Sequence, residues 1–166
     1  MTISMYGMSV PIFTRMLTNL LAIMDKAEAY SGERKFDSVV LADGRLAPDM
    51  IPLRGQIMIA TDHVKGCVSR LSGKEVPSWP DTEKTFDELR ARIQKALDLL
   101  AAVQPEELDG SEDRQITLKV GGNDATMRGE DYLVQRVLPN FFFHVTTAYA
   151  ILRHNGVPIG KRDYIG

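Results

Sequence analysis

Few residues in this chain are equipped for chemistry, and they fall on two segments. Asp62 and His63 are adjacent, and Asn140 and His144 stand four apart. On a helix, a four-residue step puts the amide and the imidazole on one face. Imidazole can ligate zinc or nickel, or move a proton near neutral pH. An asparagine oxygen is a weaker ligand and can equally serve a nearby backbone group. Two readings of Asn140 and His144 therefore stand side by side. They are buried polar neighbours that satisfy each other and the local backbone, or they form one wall of a pocket. Asp62–His63 reads either as a solvated polar patch or as part of a ligand set. Cys67 is the only cysteine. An internal disulfide is excluded, and a lone thiol on an apolar helix face suits a small core residue.

Motifs that would name a reaction are missing. There is no Gly-x-Ser-x-Gly, no His-Glu-x-x-His, no Cys-x-x-Cys and no Glu-x-x-His, so the usual hydrolase, zinc-protease, redox and di-iron signatures are absent. Gly156 to Lys161 has the glycines and lysine of a phosphate-binding loop. It is one residue short, lacks a following Ser or Thr, and ends a helix where such a loop should open one.

The elements that position these residues are helical. In the stretch Gly129–Gly156, Leu133, Val137, Phe141, Val145, Ala148 and Leu152 recur at helical spacing, which predicts a buried stripe. A second row, Val134, Leu138, Phe142, Thr146 and Tyr149, widens it, so most of this helix is expected to be buried. Glu130 and Asp131 suit its first turn, Arg153 and His154 its last, and Asn155–Gly156 its stop. Pro139 interrupts the ladder and predicts a kink, because proline cannot donate to the carbonyl of Gln135. Phe141, Phe142 and Phe143 are consecutive and cannot all face one core, so one is free to meet a partner.

Three further helices follow from the same pattern. The first spans about Ser4 to Ser31, with Phe13, Leu17, Leu20, Met24 and Ala27 inward. The second spans Asp49 to Ser72, with Leu53, Ile57, Ala60, Val64, Cys67 and Leu71 inward. The third opens on a Thr85–Glu88 capping box and runs to about Val103. Its Lys84, Glu88 and Arg92 are i,i+4 partners expected on the wet face. Trp79, in a proline-bounded loop, is expected to cover one end of the core. Ile116, Leu118 and Val120 alternate with polar residues before Gly121–Gly122, which predicts a β-hairpin. Four amphipathic helices bury their stripes most simply as an all-α four-helix bundle, with the hairpin between the third and fourth helices. We expect one domain over 1–166.

Bulk composition narrows the function classes. The chain has 166 residues, 44% of them hydrophobic and 25% charged, with net charge −2. No basic stripe points to nucleic acid. Arg15 and Asn19 break the N-terminal apolar run before it could be a signal core or a membrane span. A cytoplasmic protein with neither a membrane nor a nucleic-acid partner is the expectation.

The stretch from His144 through Leu152-Arg153-His154-Asn155-Gly156 to Pro158 resembles the last helix of DinB/YfiT-like proteins. Those carry His-x-x-x-His-Arg-Gly-Gln, then Leu-Arg and a Gly-Val-Pro-type ending at matching distances. The whole chain resembles an uncharacterised bacterial family of that superfamily. Its marks here are Arg45-Leu-Ala-Pro-Asp-Met50, Pro139-Asn-Phe-Phe-Phe-His144 and the tail Gly160-Lys-Arg-Asp-Tyr-Ile-Gly166. The resemblance implies a DinB-like bundle and a homodimer. Metal-binding members use three histidines, one on the second helix and two on the last. His144 matches the second of the last-helix pair, Asn140 stands where the first is expected, and Thr147 replaces the glutamine after it. On the second helix the expected ligand falls nearer Ile59, one turn before His63. The candidate pocket is thus His63, Asn140, His144, Asp62 and Thr147, with His63, Asn140 and His144 the candidate ligands for zinc or nickel. Three functions follow: a non-catalytic or uncharacterised bundle protein with a degenerate metal pocket and no firm catalytic assignment, a metal-dependent thiol transferase or hydrolase, and a metal-free small-molecule binding or stress-response module.

Overall fold

Four apolar stripes set the architecture. The computed structural model describes residues 3–166. Its elements run α1 (Val10–Arg34), α2 (Val39–Ala42), α3 (Leu53–Leu71), α4 (Phe86–Ala102) and α5 (Pro105–Leu108), then β1 (Gln115–Val120) and β2 (Asn123–Arg128). A short α6 (Gly129–Asp131), a π-helical stretch (Tyr132–Val137), α7 (Leu138–His154) and α8 (Lys161–Ile165) complete the chain. α3 packs on α4 and α7, and α1 packs on the same two helices. The four long helices therefore close a ring with α1 diagonal to α3. The long α1–α3 and α4–α7 links cross between diagonal partners, and the β1–β2 hairpin belongs to the second of them.

The stripes expected on α1, α3 and the last helix are buried without exception. Phe13 of α1 meets Phe141 of α7 edge to face at 4.8 Å, the arrangement that aromatic quadrupoles favour. The second row of the last helix departs from expectation. Leu138 is buried, Phe142 and Tyr149 are half-buried, and Val134 and Thr146 are exposed. α1, α3 and the small α8 pack along this helix and leave one side of it facing water. Of the phenylalanine triplet, Phe141 points inward and Phe143 outward.

Helix ends follow their capping chemistry. Thr85 and Glu88 form the reciprocal capping box. α1 runs three residues beyond Ser31 and stops at Lys35, whose φ of 59° is left-handed. α3 starts later than expected, at Leu53, because Pro52 holds an extended conformation at its N-cap and disfavours helix in the residue before it. The hairpin pairs Gln115 with Arg128 through Val120 with Asn123. Its two-residue turn, Gly121–Gly122, has positive φ at both positions, which glycine adopts without strain. Ile116 is its buried anchor.

Arg92 overturns the reading of α4. Its side chain is 2% exposed, with Asp62 and Asp81 at 2.9 Å and Glu83 at 3.0 Å. It also donates to Thr61 Oγ1 and the Pro80 carbonyl. Glu88, expected to pair with Arg92 and Lys84, instead accepts from the backbone N–H groups of Lys84 and Thr85. The capping role wins because those amides are otherwise unsatisfied. Three carboxylates brought in by the loop before α4 and by α3 can neutralise a buried guanidinium; spacing along one helix does not reveal them. The same cluster carries Trp79, whose half-buried ring packs on the core with Lys65, Arg92 and Lys95 within 4.7–5.8 Å.

Phe141→Ala should destabilise the protein by about 3–5 kcal/mol, the range for deleting a buried phenyl ring. Urea titration checks this, and a loss near zero would mean that Phe141 is not the inward member of its triplet.

Candidate functional site

α3 carries no exposed residue between Leu53 and Leu71, so most polar side chains on it are answered inside the protein. Gln56, His63 and Arg70 recur at seven-residue steps, two turns apart, on the side that meets the last helix. Opposite them stand His144, Arg136 and Tyr132 in reverse order, since the two helices run antiparallel. The contacts form a polar seam. Gln56 meets His144, His63 stacks on His144, and Arg70 meets Tyr132.

The Gln56–His144 contact fixes a tautomer. Gln56 Nε2 donates to the Ile51 carbonyl at 3.0 Å, which turns its Oε1 toward His144. That oxygen lies 2.7 Å from His144 Nδ1 and can only accept. Nδ1 therefore carries the proton, and Nε2 is left with a lone pair. Among the described residues, Ser111 Oγ is the one side-chain polar atom that is sealed from solvent without a partner. His144 Nε2 and the ring nitrogens of His63, which make no protein hydrogen bond, therefore reach solvent.

The two imidazoles stack with centroids 5.9 Å apart and planes 21° off parallel. Burial first, then the charge that His144 gains on protonation and the guanidiniums of Arg136 and Arg70, lower the His63 pKa to about 4 against a weaker opposing pull from Asp62. Burial also lowers that of His144. Both rings are neutral at pH 7. Each can accept a proton or a hydrogen bond on one nitrogen, and His63 can donate from the other. Arg70 donates to Tyr132 Oη at 3.1 Å, and burial is the main force that pushes the Tyr132 phenol up to about 12. Burial likewise raises the Cys67 thiol well above its ordinary value, so it is no nucleophile.

The irregularity expected at Pro139 is the π-helical stretch Tyr132–Val137. Asn140 Nδ2 donates to the Arg136 carbonyl at 2.6 Å. Asn140 thus serves the disturbed backbone, as one reading held, while His144 is satisfied by Gln56 and not by Asn140. Asp62 faces α4, bound to Arg92 and, at 2.7 Å, to Lys65. Thr147 Oγ1 donates to the Phe143 carbonyl at 2.7 Å and lines an apolar groove with Leu46, Phe142 and Phe143.

A family model described as a domain of unknown function, DUF1993, matches residues 5–165. The crystal structure of a DinB family member protein from Shewanella denitrificans is similar as well. It is 40% identical, over 97% of this chain and 91% of its own, with a TM-score of 0.88. The chain belongs to the DUF1993 family, with the DinB-like fold. No curated protein matches it.

The metal set implied for DinB-like proteins does not fit this DUF1993 chain. Among the described residues, no three His, Cys, Asp or Glu side chains gather closely enough to hold an ion. Of the three candidate ligands, His63 and His144 come together as a stack, and the Asn140 amide is turned to its own backbone. Two arginines add positive charge beside His63, which repels a cation. Of the five candidate pocket residues, the fold brings only His63 and His144 into contact. It adds Gln56, Arg70, Tyr132 and Arg136, which sequence reasoning passed over. The available signal was the seven-residue repeat of Gln56, His63 and Arg70 inside an otherwise apolar helix.

His63 gives this site a pH signature. Its folded pKa lies below the ordinary 6.5. As pH falls from about 6.5 toward 4, the unfolded chain takes up a proton that the folded chain refuses, so stability falls. Urea titrations should show a less stable protein at pH 5 than at pH 7, with a smaller difference in His63→Gln. An equal difference in wild type and variant would show that His63 is not held neutral.

Proposed function

We propose that this DinB-like protein uses the His63–His144 seam as a metal-free pocket for a small polar molecule, the remnant of a degenerate metal site. The observation that carries this reading is the Gln56–His144 hydrogen bond. It locks one imidazole nitrogen as a donor inside the protein and leaves Nε2 open with a lone pair. Asn140, at the position of the missing ligand, is engaged with the Arg136 carbonyl. Two stacked neutral imidazoles without a third donor suit hydrogen bonding better than ion coordination. A cytoplasmic setting agrees with the lone buried thiol. Among the described residues, no helix is long and apolar enough to cross a membrane. The net charge of −2 favours a small-molecule ligand over nucleic acid.

Metal analysis and calorimetry test the reading. Purified wild type should retain far less than one equivalent of zinc or nickel after dialysis. Asn140→His should raise zinc affinity at least about tenfold, or about 1.4 kcal/mol, by rebuilding a His-x-x-x-His pair. His144→Ala in that background should abolish the gain, and His154→Ala should not. Stoichiometric metal in the dialysed wild type would overturn the proposal.

A homodimer is a second proposal, supported by a separate observation. Phe143 is 57% exposed and Leu46 39% exposed, and both line the same apolar groove beside Phe142 and Ala150. An exposed phenyl beside an apolar groove suits a self-complementary contact. Light scattering should give twice the 18.5 kDa chain mass, and Phe143→Glu should return it to the single-chain value. A wild-type monomer at micromolar concentration would rule this out.

A further inference from the structure

The arginines divide sharply by environment. Five of them are withdrawn from solvent: Arg54, Arg70, Arg90, Arg92 and Arg136. Arg54 pairs with Asp43 at 3.0 Å, Arg90 with Glu28 at 2.7 Å, and Arg92 with three carboxylates. Lys65, the one lysine so withdrawn, pairs with Asp62. Among the described residues, Arg70 and Arg136 have no carboxylate partner. A guanidinium that gives up part of its hydration without an opposing charge is costly, and two such groups near each other also repel. Both charges act on the same two residues, His63 and Tyr132. Asp62, the acid that acts on His63, is already held by Arg92 and Lys65 on the α4 side.

The local structure makes room for one of these arginines. Gly66 is buried in the middle of α3, where glycine costs about 1 kcal/mol relative to alanine. A Cβ there would stand 2.4 Å from Arg70 Nη1 and 3.8 Å from Tyr132 Oη. The missing side chain lets the guanidinium fold back along its own helix under the phenol. Arg70 thus has one donor engaged by a neutral oxygen and the rest of its fork free. Arg136 makes no side-chain hydrogen bond within the described residues. Beside both lies His63, neutral and with open ring nitrogens.

From this arrangement we infer that the seam binds an oxyanion, the carboxylate or phosphate group of a small molecule, which Arg70 and Arg136 hold and His63 contacts. The inference rests on the pocket reading above and names its ligand class. Guanidinium forks match the paired oxygens of both groups and bond them with charge assistance. The same positive field that disfavours zinc here favours an anion. Binding would supply the counter-charge that the fold gives every other withdrawn cation.

The test is a histidine-ring NMR titration of the full chain at constant ionic strength. Inorganic phosphate and succinate serve as anionic probes, and succinamide as the uncharged counterpart of succinate. One or both anions should shift the His63 ring nitrogens saturably, and the stronger of the two identifies the preferred group. Arg136→Gln and Arg70→Gln should weaken that binding at least about tenfold, while Arg153→Gln, at an exposed position, should leave it unchanged. Arg70→Gln also removes the contact with Tyr132, so Arg136→Gln, which disturbs no hydrogen bond of its side chain, is the deciding variant. Absence of a saturable shift with either anion, or equal weakening in Arg153→Gln, would overturn the inference. A succinamide shift equal to that of succinate would keep the pocket and remove the anion. Stoichiometric zinc in the dialysed protein would instead remove the pocket reading itself.

Discussion

A helix with no exposed residue imposes the strictest condition on this fold. α3 lies between α4 and α7 and buries its apolar stripe completely, yet it also carries Gln56, Thr61, Asp62, His63, Lys65, Ser69 and Arg70. Each of these groups loses water on folding and must regain its bonds from the neighbours. On the α4 side, Arg92 answers Thr61 and Asp62, and Asp62 answers Lys65. On the α7 side, Gln56 is answered by His144 and the Ile51 carbonyl, and Arg70 by the Tyr132 hydroxyl. Among the groups left unanswered, the His63 ring and the free forks of the arginines define the site.

The second constraint is Pro139. It cannot donate to the preceding turn, and the chain answers with the π-helical stretch Tyr132–Val137. Such a stretch acts as a one-residue insertion. In an unbroken α-helix, the twelve residues from Tyr132 to His144 would place them about 120° apart around the axis. With one residue absorbed, the separation falls to about 20°, and both can face α3. The same irregularity leaves a backbone carbonyl at Arg136 that the Asn140 amide satisfies. The residue at the expected ligand position is thus occupied in maintaining the turn that lines up the seam.

Charge is sorted across the two sides of α3. Toward α4, three carboxylates outnumber the buried Arg92, and the loop that carries Trp79 is bound down by them. Toward α7, two arginines and two imidazoles face no carboxylate of their own. One helix thus separates an internally neutralised structural cluster from a positive seam open to solvent. A metal ion and an anion make opposite demands on such a seam, and its charge favours the anion.

The helices were legible in the sequence because their determinants are local. Leu133 to Leu152, Leu53 to Leu71 and Phe13 to Ala27 repeat at the period of the backbone itself, and every stripe residue they predict on those helices is buried. The Thr85–Glu88 box, the Gly121–Gly122 turn and the break at Pro139 are likewise properties of a few adjacent residues. The site was legible only as a list of polar residues. Arg92 has a solvated-face spacing and is buried, because its carboxylates come from another helix and a loop. Gln56 and His144 are 88 positions apart, and nothing in either neighbourhood names the other. Which nitrogen of His144 is protonated, which face Asn140 serves and which arginines lack a counter-charge are all settled between chain segments. Periodicity determines what a helix buries; only the packing of one helix against another decides what its polar residues meet.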